Sequence, residues 1–235
     1  MYVLALDSTA ITGAVAICRD RKLLASITLH TGNTHSETLL PSIEALLGMC
    51  ELTVDDIDLF TCSEGPGSFT GVRIGASTVK GMAFGKNKPC IGVSTLEALA
   101  YNLRGFSGIL CPVMNARRSQ VYNALFRVTD GRLERLCPDR AIALDELARE
   151  LSEYGDEAVY LSGDGYDMTR AALGGISVKE TPEELIYQSG YSVAMCALAA
   201  YEAGVRTTDA ELIPTYLRLP QAERERLERQ SQEKL

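Results

Sequence analysis

The order of the segments constrains the fold more than any single motif, because the same order occurs twice along the chain. Strand-like runs YVLAL, GAVAIC and LLASITL begin at Tyr2, Gly13 and Leu23, and turn residues separate them. A helix-like HSETLLPSIEALLGMC, a strand-like IDLFTC, a glycine-rich loop and a helix-like FTGVRIGASTVKGMAFG follow. Periodic apolar residues favour helices, whereas β-rich runs bounded by turns favour strands. This stretch therefore predicts three strands, a helix and a fourth strand that ends in a loop.

The second half of the chain repeats this order. Strand-like runs GILCPVM, QVYNALFRV and RLERLC precede a helix-like LDELARELSEY, a strand-like AVYLSG and the glycine loop GDG. Two such units predict a duplicated α/β protein whose mixed sheets are flanked by helices. We assign residues 1–104 to the first half, 105–220 to the second half and 221–235 to a charged tail.

Two further helices are predicted around the junction of the halves. The run LEALAYNLRGF, residues 96–106, predicts a helical passage between them, and AMCALAAYEAG predicts a later helix that packs back across the cleft. A duplicated unit of this kind is the architecture of the actin-like ATPase superfamily, in which nucleotide lies between two ribonuclease-H-like halves. Because a fold alone does not determine a function, the chemistry has to be sought in the motifs.

The charge of the chain argues against nucleic-acid binding by the chain alone. It has 23 Lys and Arg against 31 Asp and Glu, which gives a net charge of -8. Nucleic-acid binding draws most of its affinity from clustered basic residues that neutralise phosphates. The one dense basic cluster, Arg224, Arg226 and Arg229, alternates with glutamates and predicts a solvated helix or tail.

The cysteines and the apolar runs indicate the compartment. Seven cysteines are widely spread without a C-x-x-C pair, which is typical of buried thiols rather than disulfides or zinc ligands. The longest apolar run, VAMCALAAY, is too short for a membrane span, which needs about 20 residues. The N-terminal run lacks the basic stretch of a secretory leader. We therefore expect a cytoplasmic protein that makes no membrane contact.

The loop GPGSF, at residues 65–69, leaves two interpretations open. A Walker-type phosphate loop ends in a lysine and a hydroxyl residue, and here no lysine follows until Lys80. Pro66 also removes one backbone N–H that a phosphate cradle would use. The loop is either a weak phosphate cradle or a structural turn in which Ser68 caps the next helix.

Two glycines in that next helix predict a close approach by another element. Gly71 and Gly75 are four residues apart and so lie on one helical face, with Ala76 beside them. Each glycine inside a helix costs roughly 0.5 to 1 kcal/mol relative to alanine, so a packing reason is expected. The approaching element is either the helix at residues 36–47 of the same chain or another subunit.

Histidines and hydroxyls give no complete catalytic site. His30 and His35 are the two histidines of the chain, and their spacing of five does not place both on one helical face. We therefore predict no metal site. Ser8 and Ser68 have no basic residue near them in sequence, so a hydrolytic triad would need a remote histidine.

Carboxylates at the ends of strands are the remaining candidates. Asp7 ends the first strand, where the actin-like superfamily places a carboxylate near metal-bound phosphates. The equivalent position of the second half is Asn115, and an amide cannot act as a base. Asp164, in the second glycine loop, could assist a nucleotide but is equally typical of a turn.

Several motifs together resemble one family along nearly the whole chain. They are LALDST, HSETLLPSIEALL, GPGSFTGVRIG, GVSTLEALA, MNARRSQVYNALF, LSGDG and PTYLR. This set is similar to the TsaB (YeaZ) family, the non-catalytic paralogues of TsaD in the biosynthesis of threonylcarbamoyladenosine in tRNA. The family was formerly labelled as glycoprotease-like peptidases, and the residues present do not support that label.

The resemblance implies that the metal ligands of the catalytic paralogue are missing. TsaD carries two histidines in a helix that begins like GVNHLEGH, and the matching GVSTLEAL has Thr95 and Leu99 at those positions. Neither side chain binds iron or zinc as an imidazole does. This sequence also departs from the family, which usually has M-D-A-R where Asn115 stands here. The resemblance therefore implies no catalytic residue, no metal and no resident cofactor.

The resemblance also implies partners. A scaffolding or activating subunit would pair with a TsaD-like transferase through the first two helices, with a TsaE-like ATPase as a further subunit. Alone, the chain would form a homodimer through the same surface, and tRNA would be contacted only through the complex. The predicted interface residues are His35, Leu39, Ile43, Leu46, Phe69, Thr70, Gly71, Val72, Arg73, Gly75, Ala76 and Val79.

The alternative from another class is an autonomous ATPase or phosphotransferase that uses the cleft between the halves. Weak binding of an adenine nucleotide would then involve the residues at the strand ends and in the second glycine loop. These are Asp7, Ser8, Thr9, Gly163, Asp164 and Gly165. A metallopeptidase is a more distant third class.

Overall fold

The first half of the protein is built on a mixed sheet of five strands. The structure is a computed structural model, and it describes residues 1–129 and 131–218. The strands are β1 Tyr2–Asp7, β2 Gly13–Arg19, β3 Lys22–Leu29, β4 Leu59–Gly65 and β5 Cys90–Ser94. Their order across the sheet is β3-β2-β1-β4-β5. Strand β2 is antiparallel to both of its neighbours, whereas β1, β4 and β5 are parallel.

The second half repeats this sheet with a hairpin added. Its strands are β6 Ile109–Asn115, β7 Gln120–Asn123, β8 Phe126–Thr129, β9 Arg132–Arg135, β10 Arg140–Ala143, β11 Val159–Ser162 and β12 Val178–Lys179. The order β10-β7-β6-β11-β12 reproduces the first sheet, because β7 is again antiparallel while β6, β11 and β12 are parallel. The hairpin β8–β9 pairs with the beginning of β6. The predicted duplication into ribonuclease-H-like halves is confirmed.

Helices cover these sheets on both faces. Those in the described part of the chain are α1 His35–Met49, α2 Phe69–Ala83, α3 Thr95–Asn102, α4 Leu144–Ser152, α5 Tyr166–Ala172, α6 Glu183–Ile186 and α7 Gly190–Glu202. None of them, within residues 1–129 and 131–218, has both the length and the apolar character of a membrane-crossing helix.

The alternation of side chains along β1 divides the core of the first half into two layers. Leu4 and Leu6 pack with the apolar residues of α1 and α2 on one face. Val3 and Ala5 point to the opposite face and pack with α7 and with Ala98 of α3. Successive residues of a strand point to opposite faces, so one strand contributes to both layers.

Helix α3 is the passage between the halves, as predicted. Ala98 belongs to the core of the first sheet. Leu96 and Leu99, on the same helix, pack with Leu110 and Met114 of β6 in the core of the second sheet. Because one helix contributes to two cores, the halves share a continuous apolar junction.

The predicted strand QVYNALFRV is interrupted in its middle. Strands β7 and β8 keep one register against β6, with Val113 opposite Asn123 and Leu110 opposite Phe126. Between them the ladder faces Pro112, which has no N–H to donate. The Asn123 side chain donates to the Pro112 carbonyl at 3.0 Å and thereby supplies a hydrogen bond where the backbone ladder is interrupted.

Helix α7 packs on the first sheet, although its residues belong to the range 105–220 that the sequence analysis assigns to the second half. Gly190 lies so close to β2 that an added Cβ would stand 2.7 Å from the backbone of Ala16. Val193 and Ala197 are fully buried in the layer formed with β1. The division of the chain at residues 104 and 105 stays a prediction, and the return of this helix to the first sheet is a feature of the fold.

Leu99→Ala is expected to destabilise the protein by about 2–5 kcal/mol, because it leaves a cavity at the shared junction. Leu40→Ala provides the control, since Leu40 is 56% exposed and the same truncation there is expected to change stability by less than about 0.5 kcal/mol. Urea unfolding followed by circular dichroism measures both. Equal midpoints for the two variants would contradict the assigned role of α3.

Candidate functional site

The carboxyl ends of β1, β4, β6 and β11 lie near one another between the two sheets, and an added Cβ at Gly67 would stand 3.2 Å from the Met114 side chain. This region is here called the cleft. The loop after β4 contacts the loop after β1, because the Ser68 N–H donates to the Thr9 carbonyl at 2.7 Å. In the second half, the Asn115 N–H donates to the Asp164 carboxylate at 3.0 Å. Each half therefore joins two strand ends, through a backbone carbonyl in the first half and through a side-chain carboxylate in the second.

Asp7 lies in the floor of this cleft and is almost fully buried. Its carboxylate accepts hydrogen bonds from the Thr9 N–H at 2.8 Å, the Thr9 hydroxyl at 2.7 Å and the Ser63 hydroxyl at 2.5 Å. Burial raises the pKa of Asp7 despite these hydrogen bonds, which act in the opposite direction. The carboxylate thus has its hydrogen-bonding partners within the chain.

The second half has a similar turn with different chemistry. The Asn115 side-chain oxygen accepts from the Arg117 N–H at 2.8 Å, which repeats the contact of Asp7 with the N–H two residues later. Asp164 is half-buried, and its pKa is raised by burial, with a further contribution from the charge of Asp7. The charge of Asp7 in the first half therefore acts on Asp164 in the second.

Another part of the chain occupies the space beside the loop GPGSF. An added Cβ at Gly67 would lie 2.5 Å from the Thr9 carbonyl oxygen, so the loop after β1 occupies this space. The Ser68 hydroxyl accepts from the Gly71 N–H at 3.3 Å and caps helix α2. Of the two interpretations that the sequence left open, the structure supports the turn with a serine cap.

The interpretation of Gly71 and Gly75 as a contact for another helix or subunit is wrong. An added Cβ would stand 2.0 Å from the Ser8 carbonyl oxygen at Gly71, and 2.6 Å from the Ser8 hydroxyl at Gly75. The Ser8 hydroxyl also donates to the Gly71 carbonyl at 2.8 Å. The close approach predicted from the sequence exists, but the approaching element is the end of β1.

A groove of about 510 Å³ lies between α1 and α2 on the surface of the first half. The N-terminal halves of the two helices form its walls, and Leu40, the most exposed of its apolar side chains, is 56% exposed. Its lining residues are His35, Ser36, Leu39, Leu40, Phe69, Thr70, Arg73, Ile74, Ser77 and Thr78. The groove offers apolar surface at its base and hydroxyl groups along its rim.

The predicted interface residues divide into two sets. His35, Phe69, Thr70 and Arg73 line the groove and are exposed or half-buried. The others are buried in the first half and are Leu39, Ile43, Leu46, Gly71, Val72, Gly75, Ala76 and Val79. Helical spacing selected residues that lie mainly on the inward faces of the two helices. The lining residues that it missed are the exposed Ser36, Leu40 and Ser77 and the half-buried Ile74 and Thr78.

The C-terminal segment at residues 205–218, here called the strap, stands out in the sequence only through the motif PTYLR. It pairs with the free edge of β5 through the Cys90 N–H, which donates to the Thr207 carbonyl at 2.9 Å. Farther along, the Thr215 N–H donates to the Glu64 carbonyl at 2.7 Å. The strap therefore runs along the first half toward the cleft.

The end of the strap contacts both the groove and the second half. Tyr216 packs against Phe69 with ring centroids 4.6 Å apart, and its hydroxyl accepts from Arg73 at 2.9 Å. Arg218 then donates to the carbonyl of Ala116 at 2.8 Å. The motif PTYLR was the signal that could have located this contact.

Three consecutive residues of the second half have positive φ. They are Arg117, Arg118 and Ser119, with φ of 61°, 54° and 56°, in the turn between β6 and β7. Each non-glycine residue in this region costs roughly 1–2 kcal/mol. None of the three is glycine or asparagine, which are the residues that adopt positive φ most readily.

Both histidines contact the segment at residues 10–12, which follows β1. His30 Nδ1 is 3.2 Å from the Thr12 hydroxyl, and His35 Nε2 donates to the Ala10 carbonyl at 2.6 Å. Within residues 1–129 and 131–218, no group of three potential metal ligands is found. The arginines of the charged tail, residues 221–235, lie outside the described residues.

Comparisons with known proteins agree with this arrangement. The model of the family described as TsaD, tRNA N6-adenosine threonylcarbamoyltransferase, matches residues 23–225. The chain is similar to the tRNA threonylcarbamoyladenosine biosynthesis protein TsaB of Bacillus subtilis (strain 168). The two are 31% identical over 238 residues, which cover 98% of this chain and 100% of that protein.

Two further relatives are similar to the chain in sequence or in fold. TsaB of Escherichia coli (strain K12) is 34% identical over 130 residues, which cover 54% of this chain and 55% of that protein. YeaZ from Pseudomonas aeruginosa has a TM-score of 0.77 with 22% identity, covering 92% of this chain and 99% of that one. The second likeness concerns the fold.

Gly71→Ala is expected to destabilise the protein by about 1–3 kcal/mol or more, because the new methyl group meets the backbone of β1. Gly81→Ala in the same helix is the matched control, since nothing lies within 4 Å of a Cβ there. That change is expected to stabilise the protein by roughly 0.5–1 kcal/mol through helix propensity. Thermal unfolding measures both, and similar shifts in the two variants would contradict this packing.

The stability of the protein relative to its Asp7→Asn variant is expected to fall as the pH rises. The pKa of Asp7 is raised in the folded state, so the unfolded chain loses its proton first, near a pKa of about 3.9. The stability associated with protonated Asp7 is complete below that pH and is lost as the pH rises through the folded pKa. Urea unfolding of both proteins between pH 4 and 8 measures the difference, and a difference independent of pH would contradict the assignment.

Proposed function

Since this chain belongs to the TsaB (YeaZ) family of tRNA threonylcarbamoyladenosine biosynthesis proteins, we propose that it is a non-catalytic subunit that activates a TsaD-like transferase. The observation that carries the proposal is the match to a TsaB protein along 98% of this chain and the whole of that relative. Involvement in threonylcarbamoyladenosine biosynthesis follows from membership of the family. The division of labour between the subunits is the proposed part.

The non-catalytic role is supported by the positions that match the histidines of the transferase motif. Thr95 and Leu99 stand there, on helix α3, and are 0% and 1% exposed. Leu99 packs in the core shared with the second sheet, and neither residue can serve as an imidazole ligand. In this chain the helix stabilises the junction of the halves.

The groove between α1 and α2 is the proposed docking surface for the TsaD-like subunit. Leu40 and the ring of Phe69 provide apolar contact area, and Arg73 is held over the Phe69 ring at 3.9 Å. An arginine fixed by an aromatic ring and by the Tyr216 hydroxyl loses little freedom on binding. In the absence of its partner, the chain forms a homodimer through this surface.

The remaining partners follow from charge and from the pathway. With a net charge of -8, the chain depends on the complex for most contacts with tRNA. We propose a TsaE-like ATPase as the further subunit. We also propose that the complex acts in the cytoplasm. The transferred group is the threonylcarbamoyl group, and the acceptor is the adenosine next to the anticodon.

Leu40→Asp is expected to weaken the complex with a TsaD-like subunit by at least tenfold, because it places a charge in a desolvated apolar contact. Met49→Asp is the matched control, since Met49 is 77% exposed on the same helix but lies outside the groove. Analytical ultracentrifugation of the mixed subunits measures the affinity, and mass spectrometry of tRNA measures the modification.

Two results would contradict the proposal in different ways. Complex formation by the Leu40→Asp variant at the strength of the unchanged protein would remove the groove as the interface. Turnover of magnesium–ATP by the isolated chain, lost in Asp7→Ala, would instead favour the autonomous ATPase or phosphotransferase.

A further inference from the structure

The turn between β6 and β7 is strained where the corresponding turn of the first half is not. Arg117, Arg118 and Ser119 all have positive φ, whereas none of residues 8–12 does. Hairpin turns with positive φ normally use glycine, asparagine or aspartate. Two arginines in a strained turn, where other residues would cost less free energy, suggest a function for their side chains.

The position of this turn connects it with the cleft and with the strap. Its first residue follows Asn115, whose side chain accepts from the Arg117 N–H and thereby fixes the start of the turn. Arg218 of the strap donates to the carbonyl of Ala116, so a third guanidinium lies against the same turn. Arg117 and Arg118 are exposed. A local basic surface therefore stands at the mouth of the cleft in an acidic protein.

We infer that the turn at residues 116–119, together with Arg218, binds backbone phosphates of the tRNA that the complex modifies. This inference rests on the proposed function, which brings a tRNA to the complex. A planar guanidinium binds a phosphate through two parallel hydrogen bonds, and neighbouring arginines can span successive phosphates. The loop at residues 8–12 on the other side has no basic residue, so the contact is one-sided.

The geometry distinguishes this surface from the proposed docking groove. The groove lies between α1 and α2 of the first half, whereas the turn lies at the end of β6 in the second half. The two are linked by the end of the strap, where Tyr216 contacts Phe69 and Arg218 contacts the turn. A tRNA bound across the cleft mouth would therefore lie beside the partner without occupying its site.

The test uses the complete complex of this chain with TsaD-like and TsaE-like subunits and an unmodified tRNA transcript. In Arg117→Asn/Arg118→Asn, the affinity for tRNA near 0.1 M salt is expected to fall about tenfold, and the salt dependence of log K by about 1–2. Asparagine accepts positive φ more readily than arginine, and the thermal midpoint of the isolated chain checks that the variant is folded.

Two control variants separate charge at this turn from charge in general. Arg117→Lys/Arg118→Lys keeps both charges and is expected to retain the salt dependence. Lys22→Ala/Lys179→Ala removes two exposed charges elsewhere, at the beginning of β3 and on β12, and is expected to leave tRNA affinity within about twofold.

Each contrary outcome has a distinct meaning. Unchanged affinity and salt dependence in the asparagine variant, within a complex that still modifies tRNA, would overturn this inference alone. Loss of subunit assembly in the asparagine variant would overturn it in favour of an acidic protein partner. An equal loss of salt dependence in the lysine and asparagine variants would also overturn it, because the lysine variant keeps both charges. If the unchanged chain forms no complex and supports no modification, the proposed function itself fails.

Discussion

The contact between the glycine face of α2 and the end of β1 determines the geometry of the first half. With no side chain at Gly71 or Gly75, the helix backbone approaches Ser8 closely enough for the Ser8 hydroxyl to donate to the Gly71 carbonyl. This approach places the N-terminus of α2 beside the loop after β1. It also sets α2 at the depth where its other face forms the groove with α1. Cleft and groove are thus two sides of one packed helix.

The two halves share a topology but use their strand ends differently. In the first half, Asp7 is buried and satisfied by Ser63 and Thr9, so its carboxylate stabilises a turn. In the second half, Asn115 makes the equivalent turn at an exposed position and leads into two arginines. Duplication of a fold has kept the backbone contact while the chemistry of each copy has changed.

Much of the fold could be predicted from the sequence because periodicity and turn residues act locally. The repeated order, the serine cap at Ser68 and the junction helix all followed from such local patterns. The inward and outward faces of α1 and α2 could not be assigned correctly, because both faces carry apolar residues. The break opposite Pro112 and the role of Gly71 depend on neighbours far away in sequence. The strap was not placed from the sequence because its contacts with Glu64, Phe69 and Ala116 join residues that lie far apart in the chain.

The return of α7 and the strap to the first sheet has a consequence for synthesis on the ribosome. One face of β1, which carries Val3 and Ala5, is covered by residues 190–202, and the edge of β5 is covered by Thr207. Val3 and Ala5 therefore lack this cover until residues 190–207 have been synthesised. Because exposed apolar surface and free strand edges favour aggregation, the nascent first half is vulnerable until translation has passed those residues. The first sheet thus depends on residues that follow the second sheet in sequence, although the architecture is that of two halves.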